Sequence, residues 1–279
     1  MLRICATPIG NLKDVTERCL EALRSADLIA CETTGKTRKL LSAFGIEART
    51  MSYREDNRDQ AGKRIIEELR KGSEVVVVSD AGVPCISDPG YRLVDKALDE
   101  GIRVEPVPGP SSVMAALSMS GFPADSFLFL GFPPRKNQKR RKVWEEASSS
   151  SRTVVLFEAP HRILKTLKEL SELITDRRIC VCREITKKFE ETIRGLPGEV
   201  LGEMSRRGEP QGEFVILIEG SGSPDEETEP DEGEIEEEIE RLENEGLGAG
   251  ETAKRIAGKF GIGKNKAYEI ILSIKDKSD

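Results

Sequence analysis

Over its first hundred residues the chain alternates short apolar runs with stretches whose apolar positions recur at helical spacing. That is the pattern of βα units around a mostly parallel sheet. Residues 4–6 predict a first strand, ending in the turn Thr7-Pro8-Ile9-Gly10-Asn11-Leu12. Asp14 then opens a helix, with Glu17 three residues on completing a capping-box pattern, and Val15, Cys19, Ala22 and Leu23 fall on one face. Leu28–Cys31 reads as a second strand leading into a helix over about 36–44, and Ile65, Ile66 and Leu69 mark the next amphipathic helix. Val75–Val78 is a continuous β-branched run, as expected of a central strand buried on both faces. It ends at Ser79-Asp80-Ala81-Gly82-Val83-Pro84, with Asp88-Pro89-Gly90 before the following helix. Residues 102–107 give another strand, broken by Pro108-Gly109-Pro110-Ser111-Ser112 before a helix over about 113–119. Three loops at strand carboxyl ends are thus rich in Gly, Pro, Ser and Asp, at the edge where open α/β sheets bind ligands.

From Phe127 the pattern restarts. Residues 127–132, 153–157, 179–183 and 213–218 predict the strands of a second α/β domain, with helices near 139–149 and 161–174. Residues 222–234, rich in Gly, Ser, Pro, Asp and Glu, predict a disordered linker. An acidic helix near 234–244 follows, then two short basic helices over 253–260 and 265–274. The expected division is 1–118 and 119–221 for two α/β domains, 222–245 for an acidic linker and 246–279 for a small helical domain.

Composition changes this picture in two places. The net charge of −7 argues against a polyanionic partner, but residues 225–245 hold thirteen acids and one base. That local charge of −12 leaves +5 on the rest, so the folded parts are mildly basic. The six cysteines (Cys5, Cys19, Cys31, Cys85, Cys180, Cys182) are scattered and include no Cys-x-x-Cys pair, which indicates reduced thiols in a cytoplasmic protein rather than a zinc site or a disulfide framework. No apolar run approaches the roughly 20 residues of a membrane span, and the N-terminus lacks the pattern of a signal peptide.

Candidate chemistry is best judged beside its plainer explanations. Residues 258–265 nearly satisfy the P-loop pattern, but a helix precedes them and Asn265 stands where Ser or Thr should hold magnesium, so a helix–turn–helix corner fits better. No Gly-x-Gly-x-x-Gly follows the first strand. His161 is the only histidine, which excludes a multi-histidine metal site, and no metal is expected. In Glu158-Ala159-Pro160-His161-Arg162 it is either a helix-start residue or a catalytic group. Arg135, Lys136, Lys139, Arg140, Arg141 and Lys142 put six positive charges into nine residues, followed by Trp144. A solvated helix face explains many such runs, but contact with RNA phosphates gives this one a purpose. The segment Arg183-Glu184-Ile185-Thr186-Lys187-Lys188-Phe189-Glu190-Glu191 is either a surface ion-pair network or a strand-end cluster beside an active crevice.

Five segments together resemble the ribosomal RNA small-subunit methyltransferase I family of the tetrapyrrole methylase superfamily. They are Ala6-Thr7-Pro8-Ile9-Gly10-Asn11-Leu12-Lys13-Asp14, the block from Ser79 to Gly90, Val107-Pro108-Gly109-Pro110-Ser111-Ser112, Glu158-Ala159-Pro160-His161-Arg162 and Arg183-Glu184-Ile185-Thr186-Lys187, in the family's order. The resemblance implies two α/β domains with a deep cleft between them and a small helical C-terminal domain. It also implies a homodimer that methylates the 2′-hydroxyl of a cytidine in 16S ribosomal RNA of the small ribosomal subunit. S-adenosylmethionine is expected to lie folded in the cleft, contacted by Ile9 and Gly10, Asp80 and Val83, Ser111 and Ser112, and from the second domain by Phe157 and Glu213. Two departures stand out. Glu32-Thr33-Thr34-Gly35 replaces the family's Glu-Asp-Thr-Arg, and Gly82-Val83-Pro84 replaces Gly-Thr-Pro.

Methyl transfer is an in-line displacement in which alignment does most of the work, aided by a base that takes the hydroxyl proton. Glu32, Glu184, Lys187 and His161 are the candidates, and a lysine base requires a depressed pKa. A tetrapyrrole or protein methylase of the same fold, or a ribosome-assembly factor without catalysis, stay open as alternatives.

Overall fold

The computed structural model describes residues 1–87, 90–222, 232–244, 247–260 and residues 267, 268, 270, 271 and 273. Met1–Ser221 forms one compact unit and Gly222–Asp279 another.

The first sheet contains β1 (Leu2–Cys5), β2 (Leu28–Cys31), β3 (Thr50–Ser52), β4 (Val75–Val78) and β5 (Val104–Val107), all parallel, in the order β3-β2-β4-β1-β5. The connecting helices are α1 (Glu17–Ser25), α2 (Thr34–Ala43), α3 (Arg58–Arg70) and α4 (Tyr91–Asp99), and α5 (Ser112–Ser120) follows β5. Alternation along β4 explains its valine run. Val75 and Val77 pack with Ile65, Ile66 and Leu69 of α3, while Val76 and Val78 join Cys19 and Leu23 of α1 and Leu41 of α2 on the opposite face. Full burial of each such side chain contributes about 1.5–3 kcal/mol. Pro106, which has no N–H to donate, sits in the edge strand β5.

The helix expected to open at Asp14 starts later. Leu12–Asp14 is a 3-10 turn, and Thr16 caps α1 by accepting the Cys19 N–H at 3.1 Å. Asp14 has another task, since its carboxylate accepts the hydroxyl of Thr186 from the far side of the molecule.

The second sheet is built from β6 (Phe127–Gly131), β7 (Thr153–Glu158), β8 (Ile179–Arg183), β9 (Glu191–Gly195) and β10 (Phe214–Ile218), in the order β6-β7-β10-β8-β9. Only β6 and β7 are parallel; β10 runs antiparallel to both of its neighbours. Helices α6 (Asn137–Ser149), α7 (Ile163–Leu173) and α8 (Pro197–Ser205) lie between these strands along the chain. Trp144, Leu167, Leu170, Val200 and Met204 cover one face of the sheet. Val113, Ala116 and Leu117 of α5 cover the other, so the last helix of the first βα series packs on the second sheet. The edge strands β3 and β9 are absent from the hydrophobic pattern, because β3 has no buried residue and β9 only Ile193; helix α8 is absent too, although it buries Pro197, Val200 and Met204.

In the C-terminal unit Ile235, Ile239 and Leu242 of α9 (Glu232–Asn244) pack with Ala253 and Ile256 of α10 (Ala249–Phe260) and with Ala267 and Ile271. Residues 223–231 and 245 of the expected linker, and half of the residues of the expected last helix over 265–274, lie outside the described residues. Among the described residues no helix is long and apolar enough to cross a membrane.

Candidate active site

Strand carboxyl ends of the first sheet and the ends of β7 and β10 border a cleft of about 430 Å³, within the roughly 300–1,000 Å³ typical of small-molecule sites. Ile9, Asp80, Val83, Ser111, Ser112, Phe157 and Glu213 all line it, and so does Glu32. Backbone geometry explains why the loops look as they do. Thr7 and Gly82 exchange hydrogen bonds at 2.9 and 3.0 Å, tying the loops after β1 and β4 together. Gly82 holds φ +77°, and a Cβ there would stand 3.3 Å from Ile9 and 3.6 Å from the Pro110 carbonyl. Ser111 caps α5 by accepting the Met114 N–H at 3.4 Å, which leaves the start of that helix facing the cleft.

Asp80 is held on both oxygens. Thr33 donates its N–H to Oδ1 at 3.0 Å and its hydroxyl to Oδ2 at 2.9 Å, and Lys36 Nζ lies 2.8 Å from Oδ2. The hydrogen bond to Asp80 raises the Lys36 pKa, so this ammonium stays charged. The loop that lacks the family's arginine therefore still brings a cation to Asp80. Glu32, one strand end away, has a carboxylate with no hydrogen bond or ion pair among the described residues.

The segment after β8 is a strand-end cluster at the cleft rather than a detached surface network. Ile185 lines the cleft, while Lys187 Nζ lies 2.9 Å from both Glu184 Oε1 and Glu213 Oε2. The Glu213 N–H also donates to Glu184 Oε1 at 2.9 Å. The lysine stem crosses Gly10, where a Cβ would lie 2.3 Å from Lys187 Cγ, so glycine permits the crossing. Gly10 thus supports the site from beneath Lys187 and is not among the residues lining the cleft. Burial pushes the Lys187 pKa down, but the Glu184 and Glu213 carboxylates outweigh it and hold the ammonium above the ordinary lysine value. This is the opposite of the depressed pKa a lysine base requires. His161 is exposed at the β7–α7 turn and does not line the cleft.

Two further features of the site have no counterpart in the sequence pattern. Phe132 and Phe157 meet with ring centroids 5.3 Å apart and form an aromatic wall, and Glu158, which the sequence marks only as a neighbour of His161, lines the cleft beside them. Among the described residues, the four non-glycine positions with left-handed backbone are Cys85, Ser87, Glu184 and Thr186. All four fall in the two loops that border the cleft from opposite sheets, the clustering expected where surrounding structure holds a site under strain.

The exposed basic face carries Arg135, Lys136, Lys139, Arg141 and Lys142. Arg140 is not part of it. Only 3% exposed, it turns inward to Glu158, Thr166 and Glu169, so it is withdrawn from the residues expected to touch RNA.

A parallel sheet and a mixed sheet sharing a cleft at their loop ends form an arrangement found in solved structures. It is the fold of diphthine synthase, with TM-score 0.64 and 17% identity over 78% of this chain and 89% of that one. It is also that of a cobalamin biosynthetic enzyme, cobalt precorrin-4 methyltransferase, with TM-score 0.58 and 19% identity over 78% and 93%. A family model described as Tetrapyrrole (Corrin/Porphyrin) Methylases matches residues 1–201. The ribosomal RNA small subunit methyltransferase I of Halalkalibacterium halodurans is 41% identical over 96% of this chain and 93% of its own length. The proteins of that name from Bacillus subtilis and Thermotoga maritima are 38% and 42% identical, over 96% and 78% of this chain and 93% and 98% of their own lengths. The chain belongs to the tetrapyrrole methylase family and, within it, to the ribosomal RNA small subunit methyltransferases I.

Proposed function

We propose that the protein transfers the methyl group of S-adenosylmethionine to the 2′-hydroxyl of a cytidine in 16S ribosomal RNA of the small subunit. The observation that carries this reading is the single cleft that gathers Ile9, Asp80, Val83, Ser111, Ser112, Phe157 and Glu213. These residues suit the cofactor chemically. N–H groups in the first turn of α5 have no intrahelical partners and favour a carboxylate. Asp80 and Glu213 supply acceptors for an ammonium and for ribose hydroxyls, and their charge suits a cation. Phe132 and Phe157 offer a flat apolar wall for a purine.

When bound, S-adenosylmethionine supplies a methyl carbon already activated by its sulfonium. What remains for the chain is to align the acceptor oxygen, exclude water and take one proton. Glu32 is the candidate base that lines the cleft with its carboxylate unengaged, whereas Glu184 and Lys187 are committed to each other. Lys187 instead braces Gly10 and Glu213 from opposite sheets. The exposed cations of residues 135–142 supply phosphate contacts, with an affinity that falls as salt rises. On the same reading the protein is a cytoplasmic homodimer, which sedimentation at twice the chain mass tests.

The test is to incubate the protein and labelled S-adenosylmethionine with small subunits, or naked small-subunit RNA, from a strain lacking the activity, and to map the label. A 2′-O-methylcytidine is expected. Label on a tetrapyrrole or protein, or none at all, overturns the proposal.

A further inference from the structure

Arg140 stands in the middle of the basic run yet faces the back of the cofactor cleft. Glu158, at the end of β7, borders that cleft, while its side chain is turned inward and shows no exposed surface. A buried carboxylate is costly unless it is paired and hydrogen-bonded. Glu158 has both kinds of partner. Its Oε1 accepts the Ala159 N–H at 2.9 Å and lies 3.2 Å from Arg162 Nε. Its Oε2 accepts the Thr166 hydroxyl and lies 3.6 Å from Arg140 Nη2. Arg140 Nη2 donates in turn to Thr166 Oγ1 at 2.6 Å.

The same two arginines reach outward from this carboxylate to different elements. Arg162 donates to the Pro133 carbonyl, one residue beyond Phe132 in the aromatic wall. Arg140 Nε donates to Glu169 Oε2 at 2.6 Å, where the Trp144 indole N–H also donates at 2.9 Å, and the guanidinium lies 4.9 Å from the Trp144 ring centre. One buried carboxylate therefore fixes the wall of the cofactor cleft and the rotation of α6, the helix that presents Lys139, Arg141 and Lys142 to solvent.

We propose that Arg140 is a positioning residue: through Thr166 and Glu158 it sets the cationic face of α6 relative to the cleft, so that bound RNA presents its hydroxyl in line with the methyl donor. This rests on the reading that the exposed face of α6 contacts RNA. Within the run, the exposed cations supply affinity and the buried one supplies alignment. A misplacement of about 1 Å at such a site costs on the order of 10²-fold in rate.

The experiment compares Arg140→Met with the double variant Lys139→Ala/Lys142→Ala in the full chain. It measures single-turnover methylation at saturating RNA and S-adenosylmethionine, Kd for each, and the slope of log K against log salt. All assays run well below each variant's melting temperature. Arg140→Met is expected to lower the single-turnover rate about 10–100-fold while both Kd values stay within about threefold and the salt slope is unchanged, since Arg140 neutralises no phosphate. The lysine variant is expected to do the reverse, with weaker RNA binding, a salt slope shallower by roughly 0.9 for each phosphate no longer neutralised, and a retained rate at saturation. An Arg140→Met protein with a normal rate per folded molecule, or with a shallower salt slope, overturns the inference. A lysine variant with unchanged RNA affinity and slope overturns instead the underlying reading of the α6 face. Should Arg140→Met fail to fold, Thr166→Val removes the bridging hydroxyl at nearly constant shape and is expected to give the same split.

Discussion

Around the cleft, the first sheet contributes mainly backbone and the second mainly side chains. The loops after β1 and β4 are bound to each other by Thr7 and Gly82 and, with the loop after β5, open onto the start of α5, a surface of peptide groups whose chemistry survives many side-chain changes. The ends of β7 and β10 instead bring Phe157 and Glu213, each placed by a partner distant in sequence, Phe132 and Lys187. Parallel βα units put loop backbone at one edge by construction. A mixed sheet has no such single edge, so its contribution to the cleft is assembled from individual side-chain contacts. Glu32 and Asp80 are the exceptions, as carboxylates carried by the first sheet.

If Glu32 is the base, the sharpest break in this division is Glu32→Gln. We expect the single-turnover rate to fall about 10²–10⁴-fold, the usual span for a missing general base, with S-adenosylmethionine affinity retained in calorimetry. A rate within threefold of wild type removes Glu32 from that role. Next comes the backbone side. Gly82→Val puts a β-branched residue at φ +77° against Ile9 and Pro110. Conformational strain and overpacking together amount to roughly 3 kcal/mol, read as cofactor binding about 100-fold weaker or as reduced stability. Binding and melting both unchanged would mean that this turn is not held as tightly as its contacts indicate.

On the side-chain side, Lys187→Met is expected to cost about 1–2 kcal/mol, and its pH dependence is distinctive. Burial pushes Glu184 up, but the hydrogen bonds from Lys187 and the Glu213 N–H outweigh it and hold its carboxyl below the ordinary 4.5. That stabilisation is present above the unfolded value and is lost as pH falls through the folded one. The raised Lys187 contributes below its ordinary 10.5 and loses its contribution as pH rises through its folded value. The difference in melting temperature between wild type and variant should therefore be flat from roughly pH 6 to 9 and shrink on both sides. A difference that grows with acid contradicts the pairing. The smallest effect is at the first helix. Thr16→Ala should cost about 1 kcal/mol, a drop of roughly 2–4 °C in melting temperature. An equal loss from Asp14→Ala that disappears in a Thr186→Ala background would place the Asp14 contribution in the loop contact instead.

These contrasts also explain what the sequence disclosed. Val75–Val78 declares itself because both of its faces are buried, and the Gly-Pro-Ser loops declare themselves because their turns restrict residue choice. Every residue expected to contact the cofactor, except Gly10, lines the cleft, and those residues were picked out by these loops and by the resemblance they carry. β9 was not legible, because Ile193 is its only buried residue, and neither was the antiparallel pairing of β10, which leaves no local signature. The inward turn of Arg140 was hidden for a related reason. Its partners Thr166 and Glu169 lie 26 and 29 residues away, and nothing in a run of six cations marks the one that faces inward. The sequence offers Lys187 as a candidate base, which requires a depressed pKa; the two carboxylates that raise it instead, Glu184 and Glu213, converge only in the fold.

The left-handed residues Cys85, Ser87, Glu184 and Thr186 carry a consequence for laboratory evolution. Glycine at such a position relieves about 1–2 kcal/mol of steric cost, partly offset by the roughly 0.5–1 kcal/mol of freedom it returns to the unfolded chain. A population selected for heat resistance alone would therefore gain by drifting towards glycine only where the side chain makes no stabilising contact. At position 184 that drift deletes the carboxylate that holds Lys187, and at 186 the hydroxyl that reaches Asp14. Those contacts contribute about as much as the left-handed backbone costs, on the order of 1–2 kcal/mol, so a thermal screen should leave residues 184 and 186 unchanged.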